Sequence, residues 1–139
     1  PFANRGERAN NASCVLLVEG AGGRLLIPGD IEASIEQALV EQLRQISPID
    51  VVIAPHHGSR TSSSQAFVDA VSARHFLYPV GAFNRYGFPK AQVDERWRQA
   101  GAVIWRTDTQ GAISMRFLPD AGQALISAFH PRHARYWHF

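Results

Sequence analysis

Two adjacent histidines, His56 and His57, follow the apolar run Val51-Val52-Ile53 and precede Gly58-Ser59. A short continuous apolar run predicts a buried strand, so the imidazoles stand where that strand leaves its sheet. A second apolar segment, Arg24 to Pro28, ends in Gly29-Asp30 and brings a carboxylate to the same kind of edge. Imidazole nitrogen and carboxylate oxygen together suit zinc or manganese, and the chemistry that follows is metal-assisted hydrolysis. Each residue has a plainer use as well. Asp30 stands one residue before a helical pattern, where Asp is a favoured N-cap. Adjacent histidines on an extended backbone point apart, so one could take a metal while the other holds a partner group or protonates a leaving group. No His/Asp cluster precedes Asp30, so the site as written is incomplete.

Beyond the histidines runs Ser59-Arg60-Thr61-Ser62-Ser63-Ser64. A hydroxyl-rich loop entering a helix can hold phosphate through free backbone N–H groups, which makes Ser59, Thr61 and Ser62 candidate phosphate ligands. Metal ligand beside phosphate cradle would suit a phosphodiesterase. The plainer reading is helix capping, with Ser62 and Gln65 as a capping box. In Asn84-Arg85-Tyr86-Gly87-Phe88-Pro89, Asn84 and Arg85 could face a substrate or simply shape a turn. Asp108 is a third carboxylate at a strand end, and a turn is preferred there. His75 reads as structural, and His130, His133 and His138 lack ligand spacing.

The elements that must place these residues follow from periodicity. Residues 14–19 and 24–28 predict paired strands, joined by the turn Gly20-Ala21-Gly22-Gly23. Ile31, Ile35, Ala38, Leu39, Leu43 and Ile46 recur at helical spacing with Glu and Gln opposite, and Ser47-Pro48 ends that helix. A strand at 51–53, a helix through Val71 and a strand at Phe76-Leu77-Tyr78 come next. Pro89 opens a helix with Val93 and Trp97 on its core side, closed by Gly101. Val103-Ile104-Trp105 and a closing pair, 113–118 and 125–129, complete the order. Such alternation predicts an α/β fold with helices packed on a sheet.

With 139 residues, 45% of them hydrophobic, the chain can bury a core as one domain or part of one. No apolar stretch approaches the roughly 20 residues needed to span a bilayer, so this stretch is expected to be soluble. It begins with a loop-like segment, residues 1–12, that reads as an excised start. Cys14 is the only cysteine, which rules out an internal disulfide and a thiolate metal cluster; its apolar neighbours predict a small core residue. Charge is uneven: residues 1–69 carry a formal −3 and residues 70–139 a formal +5. The C-terminal segment 119–139 interleaves Arg132 and Arg135 with Tyr136, Trp137 and Phe139. That mixture suits a polyanion such as nucleic acid, and equally a solvated basic tail.

Five segments occur together in one order: Asn11-Ala12-Ser13-Cys14-Val15-Leu16, Leu25-Leu26-Ile27-Pro28-Gly29-Asp30, Ile53-Ala54-Pro55-His56-His57-Gly58-Ser59-Arg60-Thr61-Ser62, Asn84-Arg85-Tyr86-Gly87-Phe88-Pro89 and Thr107-Asp108-Thr109-Gln110-Gly111-Ala112-Ile113. In this the chain resembles the C-terminal metallo-β-lactamase-like domain of ComEC-type competence proteins, over roughly residues 10–118. The resemblance implies an αββα sandwich represented here by its C-terminal half. It implies a metal-dependent nuclease that hydrolyses DNA phosphodiesters, with single-stranded DNA and other DNA-uptake components as partners. The parent would be an inner-membrane protein, tied to the membrane by transmembrane segments outside this stretch, with an extracytoplasmic domain. Asp30 would bridge two zinc or manganese ions. His56, nearer the strand end, is the preferred histidine ligand, and His57 would act beside the metals or as an acid. The family's early His-x-His-x-Asp-His cluster would lie upstream of Pro1. This stretch alone is therefore expected to leave the two-metal site unfilled and to be inactive. Where the family often shows Gly-His-Pro, this chain has Gly87-Phe88-Pro89, and phenylalanine can neither ligate nor transfer a proton. The competing expectation is a non-catalytic module that guides single-stranded DNA to a membrane channel.

Overall fold

The computed structural model describes residues 9–119 and 123–129. Strands β1 (Leu16–Gly20) and β2 (Gly23–Ile27) form an antiparallel hairpin, with Leu17 opposite Leu26. Helix α1 (Ala33–Ile46) then crosses to β3 (Val51–Ile53), which pairs parallel to β2. A 3-10 turn (Pro55–Gly58) and helix α2 (Gln65–Val71) lead to β4 (His75–Tyr78). Helix α3 (Ala91–Gln99) leads to β5 (Val103–Arg106), and both β4 and β5 continue the parallel pairing. The result is an α/β fold on a mixed five-stranded sheet in the order β1-β2-β3-β4-β5. The short helix α4 (Thr107–Gln110) precedes a separate antiparallel pair, β6 (Ile113–Phe117) and β7 (Ala124–Ala128).

One face of the sheet carries the core. Leu17, Leu26, Val52, Phe76 and Ile104 lie in register across the five strands. They pack with Val40 and Leu43 of α1, Phe67, Val68 and Val71 of α2, and Val93 and Trp97 of α3. Trp97 is fully buried and stacks on Phe76, with ring centroids 3.9 Å apart. Strand side chains alternate between faces, so Leu16 and Val18 stand opposite Leu17. Both are exposed, as is Val103 at the far edge, whereas Val51 between them is fully buried.

Several expectations shift in detail. Cys14 is exposed, not a core residue. It precedes β1, and β1 is an edge strand with most of its residues open to water. The first helix begins at Ala33, two residues later than its apolar pattern, with Glu32 at the N-cap position. Asp30 is therefore not its cap. Glu36 belongs to the buried face of α1, not the polar one. The cap of α2 is Ser64, whose hydroxyl accepts from Phe67 N at 3.4 Å; Gln65 instead donates to Asp69. Among the described residues no helix is long and apolar enough to cross a membrane. The basic aromatic segment falls largely outside the described residues.

Candidate functional site

Parallel pairing sets the carboxyl ends of β2 and β3 side by side, the end where α/β sheets bind ligands. The two loops that leave there are joined directly, His56 N donating to Gly29 O at 3.1 Å. The first loop is cramped. Gly29 has φ +64, and a Cβ there would stand 2.8 Å from Ser13 Cβ. Ser13 Oγ accepts from Asp30 N at 3.0 Å, and Asn11 Oδ1 accepts from Glu32 N at 2.9 Å. The Asn11-Ala12-Ser13 segment thus brackets the Gly-Asp turn and leaves the Asp30 carboxylate half exposed.

The second loop turns sharply. His56, His57 and Gly58 are all left-handed, with φ of 47, 54 and 85 degrees. Each non-glycine residue held there costs roughly 1–2 kcal/mol. Gly58 is required for a second reason: a Cβ would lie 2.7 Å from the Tyr78 ring. The backbone at the histidines is not extended, yet their side chains diverge. His57 Nδ1 lies 3.0 Å from Pro79 O, which fixes that nitrogen as the donor. In the neutral ring the lone pair is then on Nε2, which lies 3.8 Å from Asp30 Oδ1. That gap is too long for a direct hydrogen bond and open enough for a shared cation. A ligating histidine whose other nitrogen donates to a backbone carbonyl is a recurrent metal-site arrangement.

His56 turns the other way. Its Nδ1 lies 3.4 Å from Oε1 of Glu32, a nearly buried carboxylate. The same oxygen accepts from Asn10 Nδ2 at 3.2 Å and Thr61 Oγ1 at 3.0 Å. Two hydrogen bonds satisfy this buried carboxylate oxygen, as burial demands, and the His56 ring stands beside it, its Nδ1 also 3.5 Å from Thr61 Oγ1. Asp30 and His57 therefore come together, while His56 joins Glu32, Thr61 and Asn10. Among the described residues no group of three or more His, Cys, Asp or Glu is placed to hold a metal ion. Asp30 and His57 supply two donors of the right kind.

The hydroxyls of the serine-rich loop are turned inward. Ser62 is buried, and its Oγ is shared between Pro55 O at 2.8 Å and Ser59 O at 3.1 Å. Ser59 is also buried, its Oγ 3.0 Å from Thr61 Oγ1, which in turn donates to Glu32. Buried Glu36 takes Ser63 N at 2.5 Å and Ser64 N at 2.8 Å, and Arg96 donates to Ser63 O. Burial pushes the Glu36 carboxyl above its ordinary pKa, against those N–H groups and the Arg96 charge. Glu36 thus takes the N–H groups of Ser63 and Ser64 just ahead of this helix, and Ser64 Oγ takes that of Phe67.

Asn84 is a brace. Its Oδ1 accepts from Phe88 N at 2.8 Å, and its Nδ2 donates to Phe88 O at 2.9 Å and Gly81 O at 3.2 Å. Arg85 lies over the Tyr86 ring, 4.8 Å from its centroid. Asp108 is tied to Arg106 at 2.7 and 3.0 Å. His75 sits at the start of β4, accepting from Trp105 Nε1 at 3.3 Å, and burial lowers its pKa. The pattern of residue types did not reveal Glu32, Glu36 or Thr107. Thr107 Oγ1 accepts from Val80 N at 2.8 Å and so steadies the segment whose Pro79 carbonyl orients His57. The sequence held a signal for Glu36 alone: it lies one position from Ile35 within the apolar stripe.

No family model matches the chain. It is similar to one segment of several longer proteins. The competence protein ComA of Neisseria gonorrhoeae is 38% identical over 104 residues, covering 75% of this chain and 15% of that protein. Recombination protein 2 of Haemophilus influenzae is 33% identical over 131 residues, covering 92% of this chain and 16% of that protein. ComE operon protein 3 of Bacillus subtilis is 31% identical over 108 residues, with 78% and 14% covered. The chain is thus a competence-related sequence, spanning about 15% of the length of the curated relatives it matches.

Proposed function

We propose that this chain forms part of a metal-dependent phosphodiesterase domain that cuts DNA during uptake in natural transformation. The observation that carries the reading is the pairing of Asp30 with a His57 whose Nδ1 is already committed to Pro79 O. Asp30 and His57 would hold the metal, a different choice of histidine from the one nearness to the strand end suggests. Zinc or manganese bound there supplies Lewis-acid activation of water and of a phosphoryl oxygen. The chain's own residues do the positioning. Pro79 O keeps the His57 lone pair outward, Ser13 and Asn11 hold the Asp30 turn, and Glu32 with Thr61 steadies His56 beside it. His56 is then placed to bond a phosphate oxygen or a leaving group.

On the sheet face opposite the helices Val51 is already buried, and the apolar residues left exposed at its two edges, Leu16 and Val18 on β1 and Val103 on β5, support further cover by a second sheet. That is the arrangement of a metallo-β-lactamase-like αββα sandwich, whose other half would supply the remaining ligands. The relatives' names support DNA uptake as the setting, and a membrane-anchored parent belongs to the same proposal. The test is manganese-dependent cleavage of single-stranded DNA by a protein extended upstream of Pro1 so that the other half of the sandwich is present. Asp30→Ala and His57→Ala should each abolish cleavage, and His56→Gln should slow it. A folded, metal-loaded wild type that leaves DNA uncut would refute the nuclease reading.

A further inference from the structure

Between β4 and α3, residues 81–90 form a loop whose only charged groups are Arg85 and Lys90. Phe83 in this loop has φ 58 and is fully exposed. A bulky residue at positive φ is a backbone outlier, and a fully exposed aromatic ring gains nothing from burial. Neither the turn nor the core accounts for phenylalanine at this position. Tyr86 is exposed as well and stacks on Phe88, with centroids 5.5 Å apart and planes at 18 degrees. Phe88 meets His56 edge-on at 5.9 Å, so the aromatic ladder ends at the histidine turn. The loop is held in shape by the three Asn84 bonds to Gly81 and Phe88. A cavity of about 190 Å³ lined by His57, Pro79, Val80, Asn84, Tyr86 and Phe88 opens beside it.

Exposed rings interleaved with cations, and free of acids, match one ligand chemistry: unpaired bases on a phosphate backbone. We propose that this loop is a base-stacking subsite for single-stranded nucleic acid, with Phe83 as the open platform, and with Tyr86, stacked on Phe88 and covered by Arg85, holding the cations Arg85 and Lys90 through its hydroxyl and carbonyl where they offer charge to phosphate. It rests on the nucleic-acid reading above and adds how the strand is gripped. Duplex DNA offers no free base faces, so the subsite selects a single strand and leads its phosphates toward Asp30 and His57.

Fluorescence anisotropy in the presence of a chelator separates this from the metal chemistry. The probes are an oligothymidylate and an abasic oligonucleotide of equal length and charge. The wild-type chain should bind the oligothymidylate about tenfold more tightly than the abasic strand. Phe83→Ala should remove most of that difference and Tyr86→Ala a smaller part of it, with unchanged circular dichroism. Phe83→Trp should retain it, and Arg85→Gln should weaken both probes alike. Equal wild-type affinity for the two probes, or alanine variants that weaken both equally, would overturn the stacking subsite and leave DNA binding standing. No binding of either probe would overturn the subsite and the nucleic-acid reading together.

Discussion

Two of the loops that leave the carboxyl edge of the sheet, those after β3 and β4, are built on opposite plans. The loop from Gly58 to Ser64 is closed: the Ser62 hydroxyl is bound to Pro55 and Ser59, the Ser63 and Ser64 amides are bound to Glu36, and the Ser63 hydroxyl is buried. The loop from Gly81 to Lys90 is open, displaying Phe83 and Tyr86 to water. By residue type alone the serine-rich loop is a candidate phosphate cradle, and the other offers Asn84 and Arg85 to a substrate or to a turn. Burial exchanges the roles. A hydroxyl bonded within the fold has no proton to offer a ligand, and an aromatic ring in water has a face to give. The first loop holds the histidines in a strained conformation; the second faces what approaches them.

Substitutions can break this contrast. Glu36→Ala should have the largest effect, because it leaves the Ser63 and Ser64 amides buried or half-buried without an acceptor. A loss of about 2–4 kcal/mol in urea unfolding is expected. Ser62→Ala should cost about 1 kcal/mol by the same assay and leave DNA affinity unchanged, since its hydroxyl is spent inside the loop. A pH series sharpens the point about Glu36. Its folded pKa is raised, so the folded state holds the proton more tightly than the unfolded chain. Stability should therefore fall as pH rises from the ordinary glutamate value of 4.5 through the raised folded one, and Glu36→Gln should flatten that fall. Phe83→Ala should have the smallest effect on stability, within about 0.5 kcal/mol for so exposed a residue, while reducing oligothymidylate binding.

Element identity was legible in the sequence because apolar spacing is a direct consequence of burial. Val51-Val52-Ile53 reads as a buried strand, and Val93 and Trp97 mark the inner face of α3 as the structure has them. The α/β class follows from that alternation, and Asp30 and the histidine pair were legible as residue types at strand ends. The pairing within the site was not. Three successive left-handed residues at His56, His57 and Gly58 invert any reasoning from extended geometry. Glu32 and Glu36 read as solvated charges because their burial depends on donors more than twenty residues away, Asn10, Thr61, Ser63 and Ser64. The exposure of Cys14 could not be read from its apolar neighbours, since only strand order reveals that β1 lies at an edge.

The central claim is that Asp30 and His57, rather than Asp30 and His56, face the metal. Manganese titration followed by paramagnetic broadening of the assigned histidine ring signals tests it most directly, because broadening reports even weak occupancy. The account predicts that His57 broadens first and that Asp30→Asn suppresses the effect, with His56 responding later. Broadening of His56 ahead of His57, or no selective broadening of either ring, would contradict it.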